Sequence, residues 1–111
     1  MENISDEYVN VKDALNRIGG SMDLYKRLLT SFAGKDHMGP LDAALSSGNA
    51  EDTARELHTL KGVSANLSLI KLSAVVGSIE HMVKDGIDYT DKIAELKSVY
   101  EITLGHIAEI L

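Results

Sequence analysis

The amino-acid sequence predicts an all-α protein: an antiparallel up-down four-helix bundle with one or two short extra helices at the N-terminal side. Apolar residues recur at steps of three and four along most of the chain, and no stretch shows the β-branched alternation of a strand. Four periodic segments exceed three turns and are separated by short breaks, the pattern of antiparallel neighbours. The length of 111 residues, 44% hydrophobic and 25% charged, suits a single domain with one core. That domain is expected over residues 1–111, with about residues 1–9 a loosely ordered lead-in.

Taken in order, a short first helix fits residues 11–18 and is closed by Gly19-Gly20. Ser21 is a good N-cap for a second helix, with Asp23 in its first turn. Leu24, Leu28 and Phe32 are four apart and mark its expected buried face. Residues 34–39 are rich in breakers, and Pro40 suits the start of a third helix that runs to about Ser47. Asn49 can cap a fourth helix over residues 50–66, with Asp52 three residues on, which approximates a capping box. Ser68 is the expected N-cap of a fifth helix, whose stripe is Leu69, Leu72, Val76, Ile79 and Val83 and whose end is Gly86. Thr90 is the expected cap of the last helix, with Ile93, Leu96, Tyr100, Leu104, Ile107 and Leu111 as its stripe. The second, fourth, fifth and sixth helices would form the bundle, and the first and third would cover an end.

Composition excludes several classes of function. With no Cys, there is no disulfide, thiolate metal site or cysteine nucleophile. No apolar run approaches the roughly 18 residues of a membrane span, and the acidic start MENISDEYVN is unlike a signal peptide. The formal charge is −6, from 17 acids and 11 bases, with no Lys/Arg cluster. Nucleic acid and anionic lipid are therefore poor partners, and protein partners are expected. Glycine-rich phosphate loops, nucleotide-binding signatures and supported carboxylate pairs are all missing, so an enzyme with its own ATP site is not expected.

The informative segment is ARELHTLKGVSANL, residues 54–67. Its apolar stripe is Leu57, Leu60, Ser64 and Leu67. His58 lies roughly 100° round from Leu57, on the wetter side. Ala54, Arg55, Lys61 and Gly62 are its neighbours one turn away, and Ala65 is two turns on. An imidazole thus stands over small residues, flanked by two cations. Gly62 in a helix interior costs roughly 1 kcal/mol against Ala, so something should compensate for it. A missing side chain at i+4 from His58 leaves room for another protein or a tetrahedral group to reach the ring. Lys61 at i+3 can place an ammonium beside the same nitrogen. Each feature alone has an ordinary structural explanation: a surface histidine, a solvated lysine, a glycine that permits close packing. Together on one face they point to chemistry. His37, His81 and His106 lack a following Lys-Gly pair and read as surface or boundary residues, and no two histidines have the i, i+4 spacing of a helical metal site. Met22, Met38 and Met82 read as core or edge filler.

The run HTLKGVSANL, residues 58–67, resembles the signature of histidine-containing phosphotransfer (HPt) domains, His-x-x-Lys-Gly-x-Ser/Ala followed by Asn-Leu. Three further stretches are similar to the family. They are SMDLYKRLLTSF at residues 21–32, LDAALSSGNAEDTARELH at residues 41–58, and LSAVVGSIEHMVKDG at residues 72–86, where Glu80 falls at the usual acid. The resemblance covers about residues 10–111. The family commonly has Gly after Asn-Leu, where this chain has Ser68, and Gly39-Pro40 interrupts a region that is usually continuous.

The resemblance implies a phosphorelay carrier in multistep two-component signalling. His58 would accept a phosphoryl group on Nε2 from a response-regulator receiver aspartate and pass it to another receiver. Lys61 would stabilise the phosphoryl charge and Gly62 would give access. Arg55, Ser64, Ala65 and exposed parts of the second and fifth helices would meet the partner. No metal or cofactor is expected on this chain, with Mg²⁺ brought by the receiver. Partners are receivers and possibly a hybrid sensor histidine kinase; a cytoplasmic monomer, or a cytoplasmic domain of a larger sensor kinase, is the expected context. An imidazole with an ordinary pKa near ~6.5 is largely neutral and nucleophilic at pH 7. The competing reading is a binding-only helical adaptor or inhibitor that keeps the bundle without the chemistry.

Overall fold

The structure, a computed structural model, describes residues 6–111. Six helices follow one another: α1 (Val11–Arg17), α2 (Met22–Ala33), α3 (Met38–Ser47), α4 (Ala50–Asn66), α5 (Ile70–Lys84) and α6 (Thr90–Ile110). No strand forms among the described residues. The four long helices α2, α4, α5 and α6 make the bundle, and α1 and α3 are the short additions. The most extensive packing is of α4 on α5; α5 also packs on α6 and α6 on α2, while α1 lies on α2 and α3 on α4. No helix among the described residues is long and apolar enough to cross a membrane.

Local capping chemistry sets most of the boundaries. Ser21 Oγ accepts from the Leu24 amide at 3.1 Å, and Asn49 Oδ1 from the Asp52 amide at 3.1 Å. The latter is half a capping box, because the Asp52 carboxylate turns instead to Arg55. α3 begins at Met38, two residues before Pro40, because Asp36 Oδ1 accepts from the Met38 and Gly39 amides at 3.1 and 2.9 Å. Pro40 then falls within the first turn, where its missing N–H costs nothing.

Two expected caps are corrected. Ser68 does not cap α5, whose N-cap is Leu69. Ser68 instead occupies the left-handed position after α4, with φ 57°. The Leu69 amide donates to Ser64 O at 2.9 Å and the Ser68 amide to Ala65 O at 3.1 Å, the two bonds of a Schellman turn. Glycine normally fills that place because a Cβ there costs about 1–2 kcal/mol. Ser68 offsets this with its hydroxyl, which donates to Asp13 Oδ2 at 2.6 Å and ties the turn to α1. Thr90 is the first residue of α6 rather than its cap. The Asp88 carboxylate accepts from both the Thr90 amide (3.0 Å) and hydroxyl (2.7 Å), so the cap comes from two residues earlier.

The core is aliphatic with a few rings. Leu57 and Leu60 of α4, Leu72, Val76 and Ile79 of α5, and Leu96, Tyr100 and Ile107 of α6 are buried together. On α2 the expected face holds at Phe32 but is displaced by one position in the two preceding turns: Tyr25, Leu29 and Phe32 are buried, Leu24 is half-buried and Leu28 is exposed. The displacement has a polar cause, since the Tyr25 hydroxyl reaches inward and donates to Leu67 O at 2.8 Å. Residues 1–5 of the expected loose lead-in lie outside the described residues, and its last two residues pack on the bundle. Val9 is fully buried, Tyr8 stacks on His106 at 5.2 Å, and the Asn10 amide donates to Ser68 O at 3.0 Å.

Candidate functional site

α4 turns Leu57, Leu60 and Ser64 into the core, so His58, Lys61 and Gly62 emerge on the outer face. The His58 side chain is 75% exposed, yet it is not free to spin: Nδ1 lies 3.1 Å from Oε2 of Glu80 on α5. The Glu80 side chain is only 6% exposed, and Lys84 Nζ, one turn further along α5, lies 2.9 Å from the same oxygen. Between α4 and α5 is a small open cleft of about 220 Å³ lined by His58, Lys61, Gly77, Glu80, His81 and Lys84.

Electrostatics fix the ring's orientation. Burial by itself would raise the Glu80 pKa, but hydrogen bonds from Lys84 and His58, with the charges behind them, outweigh it and hold the carboxyl below its ordinary value. An ionised carboxylate only accepts, so the ring nitrogen facing it carries the proton. Nδ1–H therefore points to Glu80, and Nε2 keeps its lone pair on the opposite, outward side of the ring.

Lys61 approaches the cleft over Gly77. A Cβ at position 77 would meet Lys61 Cε at 3.3 Å and Nζ at 3.7 Å, so the bare backbone of α5 provides the bed on which the lysine stem lies. Gly62 is different. A Cβ there would meet nothing within 4 Å, so no packing contact within the described residues demands glycine. Its helical cost is uncompensated by the fold.

The other expected contacts separate. Arg55 is exposed and paired with Asp52 at 2.9 Å, and Ala65 is half-buried beside the outer face. Ser64 is corrected: it is fully buried, with its hydroxyl donating to Leu60 O at 2.7 Å, and cannot meet a partner. It lies in phase with Leu57 and Leu60, and the backbone carbonyl one turn back satisfies its polar atom. His81, expected as a surface or boundary residue, lines the cleft; its Nε2 is 2.9 Å from Asp85 Oδ2. His37 stacks on Phe32 at 4.2 Å, far from the cleft lining, and its Nε2 is 2.9 Å from Phe32 O. On the other flank of α4, a groove of about 710 Å³ runs between α1, α2 and α4, with Leu28 and Val63 exposed along it and Phe32 and Leu67 below.

Sequence reasoning missed Lys84 and Gly77. The i, i+4 pair Glu80–Lys84 was available as a helical charge pair, and Gly77 as a second helix-interior glycine. Their part in the site depends on the His58–Glu80 contact, which spans 22 residues of sequence and needs the α4–α5 packing.

A bundle that holds one exposed, oriented histidine beside a lysine and a bare stretch of backbone is the build of a helical phosphotransfer module. The chain belongs to the Hpt domain family, whose model, described as Hpt domain, matches residues 33–104. That stretch runs from the end of α2 into α6 and includes the whole cleft. Domains of this family serve histidine phosphotransfer in two-component systems and carry no kinase site. No curated protein matches the chain, and no solved structure does.

Proposed function

We propose that this protein is a phosphorelay intermediate: His58 Nε2 accepts a phosphoryl group from the aspartyl phosphate of a response-regulator receiver and passes it to a second receiver. The observation that carries this reading is the His58 ring, three-quarters exposed yet fixed through Nδ1 on a nearly buried carboxylate. The Nε2 lone pair attacks phosphorus, the bond from phosphorus to the aspartyl oxygen breaks, and the electron pair leaves with the receiver's carboxylate. The ring proton stays on Nδ1 against Glu80, which offsets the positive charge the ring gains.

Phosphoryl transfer depends mostly on positioning and charge stabilisation. Glu80 supplies the first, and Lys61, whose stem lies over Gly77 in the same cleft, supplies the second. Gly62 gives clearance for the receiver. Arg55 and Ala65 border the same face, and the groove under Leu28 and Val63 extends it towards α2. Mg²⁺ and the acidic cluster that binds it belong to the receiver. The protein works as a monomeric, cytoplasmic carrier or as such a domain of a hybrid sensor kinase.

Incubation with a phosphorylated cognate receiver should yield an acid-labile, base-stable phosphohistidine. His58→Gln should abolish labelling and leave the helical circular dichroism intact. Labelling that persists in this variant rejects the assignment of His58.

A further inference from the structure

Lys84 lines the cleft and shares the Glu80 carboxylate with His58, and the relay chemistry above gives it no role. We propose that Lys84 is a positioning residue that acts through Glu80 to set how tightly the His58 ring holds its Nδ1 proton, and thereby how long the phosphoryl group stays on Nε2. The second half rests on His58 being the phosphoryl acceptor; the first half does not.

The geometry is a shared acceptor. Lys84 Nζ at 2.9 Å and His58 Nδ1 at 3.1 Å meet the same Glu80 oxygen, so the two nitrogens are at most about 6 Å apart. Glu80 is almost enclosed, whereas Lys84 is 61% exposed and contributes its ammonium from outside. The charged groups facing the ring come from two helices. α4 presents Lys61, with Arg55 turned aside to Asp52. α5 presents Glu80, Lys84 and His81, the last held by Asp85. Of these, only Lys84 and His58 are within ion-pair distance of Glu80.

Two donors on one oxygen compete for its charge. With Lys84 in place, the carboxylate orients the ring but its field is partly neutralised, and a protonated or phosphorylated ring is less strongly favoured. Without Lys84, Glu80 faces the ring alone. A unit charge at ~6 Å moves a titration midpoint by about 0.5 pH unit in bulk water and by about 2 at an effective dielectric near 20. The exposure of Lys84 places the effect in the lower part of that range.

The same competition governs return of the phosphoryl group. When the Nε2–P bond breaks, its electron pair returns to Nε2. A ring that has kept its Nδ1 proton is then released directly as neutral imidazole, a far better leaving group than the anion. By weakening the hold of Glu80 on that proton, Lys84 slows the loss of phosphoryl to water between partners. The device trades a little transfer speed for a longer-lived phosphorylated state.

The experiment uses the full chain and no receiver. The His58 titration is followed by ¹H–¹⁵N NMR in the wild type, Lys84→Met, Lys84→Arg, Glu80→Gln and the Glu80→Gln/Lys84→Met double variant. Lys84→Met should raise the midpoint by roughly 0.5–1 pH unit, Lys84→Arg should restore it, and the effect of Lys84→Met should fall to less than half in the Glu80→Gln background. After chemical phosphorylation with phosphoramidate, the Lys84→Met phosphohistidine should hydrolyse about two- to threefold faster near neutral pH, a factor that follows from a midpoint move of this size. An unmoved midpoint, an equal move in both Glu80 backgrounds, or an unchanged or longer lifetime overturns the proposal. Failure of every receiver to phosphorylate His58 would instead remove the relay reading and leave the titration result standing.

Discussion

Replacing Gly62 should make the protein more stable and a worse phosphotransfer partner. Gly62 is in the interior of α4, exposed, and a Cβ there meets nothing within 4 Å. The stability change is therefore set by helix propensity, in which glycine is about 0.8–1.0 kcal/mol worse than alanine and glutamine is close to alanine. Gly62→Ala should gain about 1 kcal/mol and Gly62→Gln slightly less. For a chain of this size either gain corresponds to a rise in Tm of roughly 2–5 °C. Transfer should move the other way. Gly62 is one turn from His58, ~6 Å along the axis and ~40° round it, so a side chain there stands where the receiver must close. Misplacing reacting atoms by about 1 Å can cost on the order of 100-fold, and a tenfold or greater loss is expected for Gln with a smaller one for Ala. Rapid-quench transfer from a phosphorylated receiver, timed at short intervals, reads this directly, beside thermal melts. Gly105 of α6 is the control: it is also helical, exposed and open around its Cβ position, so Gly105→Ala should gain similar stability with no change in transfer. A Gly62→Gln protein that is more stable and transfers at the wild-type rate to every receiver refutes the access reasoning. A less stable one shows that the glycine serves packing.

Tyr25→Phe leaves Leu67 O without its buried donor and should cost about 1–2 kcal/mol in urea unfolding. Burial pushes the Tyr25 pKa up to about 12, so the folded state resists ionisation. Its contribution is complete below pH ~10, the value in an unfolded chain, and is lost as pH rises towards 12; the alkaline fall in stability should be smaller in the Phe variant. Ser68→Ala keeps the left-handed strain but loses the bond to Asp13, so its urea midpoint should fall, whereas Ser68→Gly should recover part of the loss by relieving the strain. The hydrogen bond from Ser68, aided by Arg17, lowers the Asp13 pKa, so this contribution is present at neutral pH and is lost in acid as Asp13 protonates; the Ala variant should show a shallower acid decline.

Along the chain, the elements legible in the sequence were those whose signal is local. Ser21 and Asn49 cap by bonds to amides three residues on, and both caps form as expected. The stripe Leu57, Leu60, Ser64 and Leu67 fixes which way α4 faces, and with it the outward placement of His58, Lys61 and Gly62. Two of the misassignments come from side chains that answer to something outside their own helix, and a third from one that turns back on its own. The Tyr25 hydroxyl reaches a carbonyl 42 residues away, so Tyr25 and Leu29 take the inward places expected of Leu24 and Leu28 while Phe32 keeps its own. Ser68 serves α1 through Asp13 rather than capping α5, and Ser64 satisfies itself on its own backbone instead of reaching solvent.

The sequence by itself determined the helical class, most of the helix boundaries and the exposed face of α4, because a period of 3.6 residues and an N-cap bond are both written within one or two turns. It also marked His58, Lys61 and Gly62 as neighbours, since residues three and four apart share a helix face. Only the tertiary structure decided which nitrogen of His58 is left free. That depends on Glu80, which Lys84 also meets, and the lysine beside the ring depends on the Gly77 backbone over which Lys61 lies. These residues reach the ring across the α4–α5 interface, and the low accessibility that lets a carboxylate orient an imidazole exists only once the two helices have packed.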